Sequence, residues 1–470
     1  MEGRSESDLK TTPDLPYELW ALIASLVPKD RLQKLCGVHR AFYDRFMNEM
    51  YREVRMYHKG DESTRRCLVA MGLVVLFQVW LKGIKLTPSP QCSPSAASYV
   101  RKLVLRPHLF GGVLHSKAMS YFARLYNLPF HFTRSRHNFN GPPGPLDAHL
   151  LLHKVTQMTN LTSLLVGCYP SDNWRSFNRA ITFLDAAFTQ SSHLQILTLD
   201  IPLESMARVF FSTPYFPVLE DLRISVRVES LNKLVHMDAM PEIATFINRQ
   251  SSNLIRLSID IFTTGVDPSP LFWSLNKLQK LAMISIGQPV ERLQPGHGGT
   301  IDVFLGNYAA FIFELGVHFY GPTYTVDWPT PETFFSGPIF QLNFVRLRCL
   351  HLGLAYWDEG SQASLAMNLA QYLSKFRSTL TELAITDYDL SLPVVQRLVL
   401  ALGGDGMVLY RLKMRVRCLS CDLLDLLAYG LPELYELDLN FDSLSYKDNG
   451  SWPDTRVLVR VYYVRFFIFK

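Results

Sequence analysis

The chain has 470 residues, 48% apolar and 12% aromatic, which excludes a disordered chain and points to packed globular structure. Its 47 basic and 42 acidic side chains leave a net charge of +5, too small over this length to argue for nucleic acid as a general partner. The seven scattered cysteines (Cys36, Cys67, Cys92, Cys168, Cys349, Cys418 and Cys421) read as free thiols of a reducing compartment, so a cytoplasmic and/or nuclear location is expected. Residues 1–12 form a polar, charged tail that lacks the apolar stretch of a signal peptide.

From residue 13 the pattern turns helical. Leu19, Leu22, Ile23 and Leu26 stand at i, i+3, i+4 and i+7, one stripe of an amphipathic helix. Pro16 fits the first turn of that helix and Pro28 ends it. Asp30 is placed to cap a second helix carrying Leu32 and Leu35. A third helix is expected to carry Val38, Phe42, Phe46 and Met50. Some forty residues in three short helices bury little core alone, so such a module should have apolar surface left for a partner. The spacing by itself also fits an ordinary helical subdomain. Leu15-Pro16-Tyr17-Glu18-Leu19, taken with the spacings that follow as far as Phe42, resembles an F-box, the module that docks the Skp adaptor of cullin-RING ubiquitin ligases. Two departures are visible: His39 stands where the family usually has Cys or a polar residue, and Gly37 lowers local helix propensity. The resemblance runs over Leu15 to Phe42, within an F-box domain expected at residues 13–56. It implies that Leu15, Pro16, Leu19, Ile23, Leu26, Leu32, Leu35, Val38 and Phe42 form or support the adaptor-binding surface.

Residues 57–99 read as a linker with an apolar insert. Leu68 to Leu81 is apolar apart from Gln78, and at about 14 residues it falls short of a bilayer span. A buried helix or strand, a membrane segment and, for Gly72–Cys92, translated intron sequence are the three readings; no membrane association is expected.

Over residues 100–445 a unit of apolar, two residues, apolar, one residue, apolar recurs. Its instances are Val100/Leu103/Leu105, Leu161/Leu164/Val166, Leu194/Leu197/Leu199, Leu219/Leu222/Ile224, Leu254/Leu257/Ile259 and Leu278/Leu281/Met283. They continue as Ile312/Leu315/Val317, Leu347/Leu350/Leu352, Leu380/Leu383/Ile385, Leu409/Leu412/Met414 and Leu434/Leu437/Leu439. From Leu161 onward the starts advance by 24 to 35 residues. Helix spacing fills the gaps at Ile181/Leu184/Phe188, Ile243/Phe246/Ile247, Leu365/Leu369/Tyr372/Leu373/Phe376 and Leu423/Leu426/Leu427. The pattern resembles leucine-rich repeats, although the repeat Asn or Cys is mostly absent. The expected fold is therefore α/β: an N-terminal three-helix F-box followed by an irregular α/β leucine-rich-repeat solenoid. A doubly wound α/β domain would need a nucleotide fingerprint that the sequence lacks. Leu125/Leu128/Phe130 fits a degenerate unit, and Gly141 to Pro145 a stiff surface turn. Within the tail 446–470, Arg456 to Lys470 reads either as a capping edge strand or as a gene-model artefact.

The motifs that could carry chemistry are weak. Cys418-Leu419-Ser420-Cys421 lacks the second ligand pair of structural zinc and reads as two thiols at the start of a helix. Pro295 to Thr300 is glycine-rich but lacks the Gly-Lys-Ser/Thr of a P-loop, before a helix expected over Ile301–Phe311. No His pair, GxSxG elbow or recognisable carboxylate pair is present, so no catalytic residue, metal or cofactor is expected. Binding candidates lie instead on the strand face opposite the helices. Period two places Arg256, Asp260, His318, His351, Arg411, Lys413 and Arg415 there, with Glu436, Asp438 and Asn440 as nearby counter-charges. Tyr356, Trp357 and Tyr388 follow strands and could supply rim aromatics. This mixed polarity suits an unknown protein substrate better than nucleic acid.

An F-box followed by leucine-rich repeats resembles the substrate receptors of SCF ubiquitin ligases. That implies a Skp-type adaptor and, through it, cullin and RING proteins as partners, with chemistry performed on those partners. The alternatives are a non-catalytic scaffold or interaction protein without a ligase role, and an enzyme using the sheet cleft.

Overall fold

The computed structural model describes residues 15–56, 96–105, 158–167, 191–211, 215–228, 233–263, 266–289, 299–320, 329–354, 359–404, 406–445 and 462–467, with helical positions 184 and 188. These fall into two compact units, 1–165 with 186–193 and 166–185 with 194–470. The insert Leu68–Leu81, the segment Gly72–Cys92, Leu125/Leu128/Phe130, the turn Gly141–Pro145, and Tyr356 and Trp357 lie outside the described residues. Among the described residues no helix is long and apolar enough to cross a membrane.

The first unit opens with three short helices: α1 (Tyr17–Leu26), α2 (Lys29–Leu35) and α3 (Arg40–Tyr51). Pro16 and Pro28 each stand just outside a helix start, where extended ψ values of 147° and 142° feed the chain inward and no N–H is needed. Asp30 does not cap α2. Pro28 holds that position without a side-chain bond, and Asp30 sits in the first turn, where its charge still favours the helix dipole. Val38 falls before α3, not within it, and is exposed. The cap of α3 is His39, whose Nδ1 accepts from the Ala41 amide at 3.1 Å while its ring stacks on Trp20 with centroids 4.9 Å apart. The core is small: Ala24, Leu32 and Phe42 are buried, with Trp20, Val27, Leu35 and Phe46 packed around them. β1 (Glu53–Met56) follows and pairs in parallel with β2 (Lys102–Leu105), Val54 opposite Leu103. A 3-10 turn, Ala96–Tyr99, leads into β2. β3 (Ser163–Gly167) is entered from Asn160 and Thr162, and the amides of Thr162 and Ser163 bond to the Arg101 carbonyl.

The second unit repeats strand and helix. β4 (Ile196–Pro202), β5 (Asp221–Arg227), β6 (Arg256–Ile261), β7 (Met283–Pro289) and β8 (Glu314–Tyr320) are successive parallel neighbours. β9 (Cys349–Gly353), β10 (Glu382–Leu390), β11 (Arg411–Ser420) and β12 (Glu436–Ser445) continue the series in parallel. One apolar row crosses all nine strands in register: Leu197, Leu222, Leu257, Ile284, Leu315, Leu350, Leu383, Leu412, Leu437. A parallel strand cannot bury one row alone, so each unit supplies one rung of a shared core. The segment between strands supplies a helix: α4 (Leu203–Phe211), α5 (Lys233–Arg249), α6 (Ser269–Ser274), α7 (Gly299–Tyr308), the short α8 (Pro331–Phe335) and α9 (Pro338–Gln341), α10 (Gln362–Ser374), α11 (Leu392–Leu402) and α12 (Cys421–Gly430). The helix expected over Ile301–Phe311 is α7, which begins and ends earlier.

The register corrects one repeat. Leu257 pairs with Ile284, so the unit there is Leu281/Ile284/Ile286, not Leu278/Leu281/Met283. Leu278 belongs to the turn before the strand, where its carbonyl accepts from the Leu281 amide at 3.3 Å. Met158, Phe216, Phe344 and Leu431 make the same turn before Leu161, Leu219, Leu347 and Leu434. Because that turn residue is apolar and three places upstream, two frames of the same spacing overlap. Cys418 is also displaced from the expected helix start: it lies in β11, and only Cys421 begins α12, behind the Ser420 cap. Past β12 the chain reverses, and β13 (Tyr462–Phe467) pairs antiparallel to it, so this part of the tail is an edge strand.

Candidate functional site

Two surfaces hold the sequence-derived candidates. On α1, three side-chain stripes run side by side. Trp20, Ala24 and Val27 face the small core. Leu19, Leu22, Ile23 and Leu26 form a second stripe that is exposed, Leu26 to 78%. The sequence stripe is therefore real, but it is not the buried one: the helix packs through the smaller Ala24 at 0% exposure. Leu15, just before α1, and Val38, in the turn between α2 and α3, add to the exposed set, and Pro16 is exposed as well. Leu32 and Phe42 are buried and underlie the surface without contact area of their own, whereas the half-buried Leu35 keeps part of its side chain accessible. Leu19, Leu22, Ile23 and Leu26 share one face of α1, so at least these four make a continuous apolar stripe in water.

The second surface is the open face of the sheet in the second unit, where the in-register strands arrange polar side chains in ladders. One ladder runs Asp221, Arg256, Met283, Glu314, Cys349, Glu382, Arg411, Glu436. Arg256 reaches past Met283 to Glu314 at 2.8 Å and approaches Asp221 at 4.0 Å. Asp221 itself is held by Arg223 at 2.7 Å. Arg411 bridges Glu382 at 3.0 Å and Glu436 at 2.7 Å. Thus Glu436 is the counter-charge of Arg411, while Arg415 pairs with Asp389 of β10. Lys413 stands in register between Ala384 and Asp438.

The centre of this face is built from small residues. Gly287 lies between Asp260 and His318, and a side chain there would collide with the Asp260 carboxylate and the Tyr320 ring. The missing side chain lets Tyr320 lie across β7 and donate to Asp260 Oδ1 at 3.1 Å. Gly353 does the same two strands on, in β9, leaving room for His318 Nδ1 to approach Asp387 Oδ2 at 3.8 Å. Asp387 holds this place with a φ of 68° inside an irregular stretch of β10, a strained conformation for a residue other than glycine.

Burial raises the Asp260 carboxyl above the ordinary range against the opposing Tyr320 bond and the nearby His318. Burial also raises the Tyr320 hydroxyl, with the Asp260 charge adding to it, so it stays a donor. The His318 bond lowers Asp387, with burial opposing. His351, 3.7 Å from Glu382, is lowered by burial in spite of the Glu314 and Glu382 charges, which favours its neutral form. Arg256, Asp260, His318, His351, Arg411, Lys413 and Arg415 therefore share this face. Tyr388 does not: it lies in β10 and is buried at 4% exposure, because the irregular stretch turns it toward the interior. Tyr320 is the aromatic that sequence reasoning missed; it stands two places beyond His318 on the same strand face, and that alternation was the available signal.

Chemically, the face offers a fixed set of hydrogen-bonding and charged groups, most of them already paired. Among the described residues no group of three or more His, Cys, Asp and Glu converges at metal-ligand spacing. No family model matches the chain, and no curated protein matches it.

Proposed function

We propose that this protein is the substrate-recognition subunit of an SCF-type cullin-RING ubiquitin ligase. The segment α1–α3 docks a Skp-type adaptor, and the open face of the repeat sheet holds a target protein. One observation carries the reading: Leu15, Leu19, Leu22, Ile23, Leu26 and Val38 remain exposed on a segment whose own core is already closed by Ala24, Leu32 and Phe42. A helical plug of that design gains by burying its leucines in another protein. The repeat sheet supports the second half of the reading, because its open face is wide, mixed in charge and pre-organised by internal ion pairs. The mechanism is tethering: a bound target is held at high effective concentration near a ubiquitin-loaded enzyme, so this chain needs no nucleophile of its own.

The test is affinity purification from cells with the proteasome blocked. Wild-type chain captures adaptor and cullin together; Leu15→Asp combined with Pro16→Ala loses both while the repeats stay folded. Capture of adaptor and cullin by the double variant at the wild-type level refutes the reading. Adaptor without cullin identifies a scaffold instead.

A further inference from the structure

The third stripe of α1 borders a cleft that the docking reading leaves unused. Tyr17, Ala21 and Ser25 form one wall, α3 a second, and the 3-10 turn with Arg101 and Asn160 the third, around a cavity of about 540 Å³. All of it lies within the first unit.

The polar groups of this cleft are unbalanced. Among the described residues it has one carboxylate, Asp44, to which Tyr17 donates at Oδ2 (2.9 Å) and Tyr99 at Oδ1 (2.7 Å). Burial above all, and then the Asp44 bond, raise both phenols, so they remain protonated donors. Against this one acid stand Arg40, Arg45 and Arg101, each with five N–H groups. Arg40 approaches Asp44 through Nε at 3.5 Å, and Arg101 uses Nη1 on the Asn160 carbonyl at 3.2 Å. Arg45 spends Nη2 on Glu49 at 2.9 Å, and its Nε is buried without a hydrogen-bond partner among the described residues. Asn48 lines the same wall. Among the described residues, these donors line a space whose one carboxylate already accepts from both phenols.

We infer that this cleft binds a small phosphorylated ligand. A donor-rich, acceptor-poor cavity selects an oxyanion, and guanidinium groups match phosphate in charge and geometry. The volume lies within the range of small-molecule sites and exceeds what a single orthophosphate fills. The leucine stripe and the cleft occupy different faces of α1, so docking and ligand binding are separable.

The experiment is calorimetric titration of the full chain with sodium tripolyphosphate at physiological salt, with orthophosphate as the smaller probe. The expected result is saturable 1:1 binding, tighter for tripolyphosphate, and weakened about tenfold or more by Arg101→Ala or by Arg45→Gln. Lys280→Ala, on the other unit, binds as wild type. Arg45 is partly exposed, so Arg45→Gln keeps the fold if Arg101→Ala disturbs the bond to Asn160. Absence of saturable binding at millimolar probe, equal affinity for both probes, wild-type affinity in Arg45→Gln, or an equal loss in Lys280→Ala each overturns the inference.

Discussion

If the leucine stripe of α1 is a docking face, its residues contribute almost nothing to the chain's own stability. Leu26 is 78% and Leu22 58% exposed, whereas Leu32 is 1% exposed. Truncating Leu22 or Leu26 to Ala removes side chain that was mostly in water already. At about 25 cal/mol per Å² the loss is some tenths of a kcal/mol, and the better helix propensity of Ala offsets part of it. Leu32→Ala opens a cavity in a small core and costs about 2–5 kcal/mol. Amide hydrogen exchange over α1–α3 in the full chain reads this directly, since a loss of about 2 kcal/mol accelerates exchange through local opening roughly thirtyfold. The expected outcome is unchanged protection in Leu22→Ala and Leu26→Ala and collapse of protection in Leu32→Ala. Equal losses in all three would mean the stripe is covered inside this chain, and the docking argument would fail with it.

Three further outcomes test other parts of the structure. His39→Ala removes both the cap of α3 and the stacking on Trp20, and should cost about 1–2 kcal/mol, visible as faster exchange in the first turn of α3. Gly430→Ala places a methyl into Val399 where α11 and α12 approach closely; overpacking of about 1–3 kcal/mol should appear as a lower melting temperature, relieved by adding Val399→Ala. Acid should weaken the second unit in two stages. His351 has a lowered folded pKa, so its contribution is full above the unfolded value of about 6.5 and fades as pH falls below it. Asp387 is likewise lowered, and its contribution fades below the unfolded carboxylate value of about 3.9. Melting curves from pH 7.5 to about 2 should show both stages; His351→Gln should remove the upper one and Asp387→Asn the lower, and a profile unchanged by either substitution would contradict these assignments.

Much of the second unit was legible because its rule is local. Leu-x-x-Leu-x-Leu states both the turn and the strand alternation, and parallel pairing then fixes which residues stack. The slip at Leu278 arose where an apolar turn residue repeats the strand's own spacing. Helix α11 was just as legible and was missed: Ser391 and Pro393 mark its start, and Val394, Val395, Leu398, Val399 and Leu402 keep helical period. The face of α1 was harder. Periodicity marks an apolar stripe but not which stripe is covered, and the covered one here is anchored by Ala24. The contacts at the centre of the sheet face were out of reach. Tyr320 and Asp260 are 60 residues apart, and nothing local signals that Gly287 makes their meeting possible or that Asp387 adopts a positive φ.

The charge ladder on the sheet also gives the repeats an order. Arg411 separates Glu382 from Glu436, and Arg256 separates Asp221 from Glu314. Deleting the repeat that carries β11 would set two glutamates side by side, and transposing neighbours would scatter the pairing elsewhere. Modules that look interchangeable by their leucines are thus serially addressed by their charges.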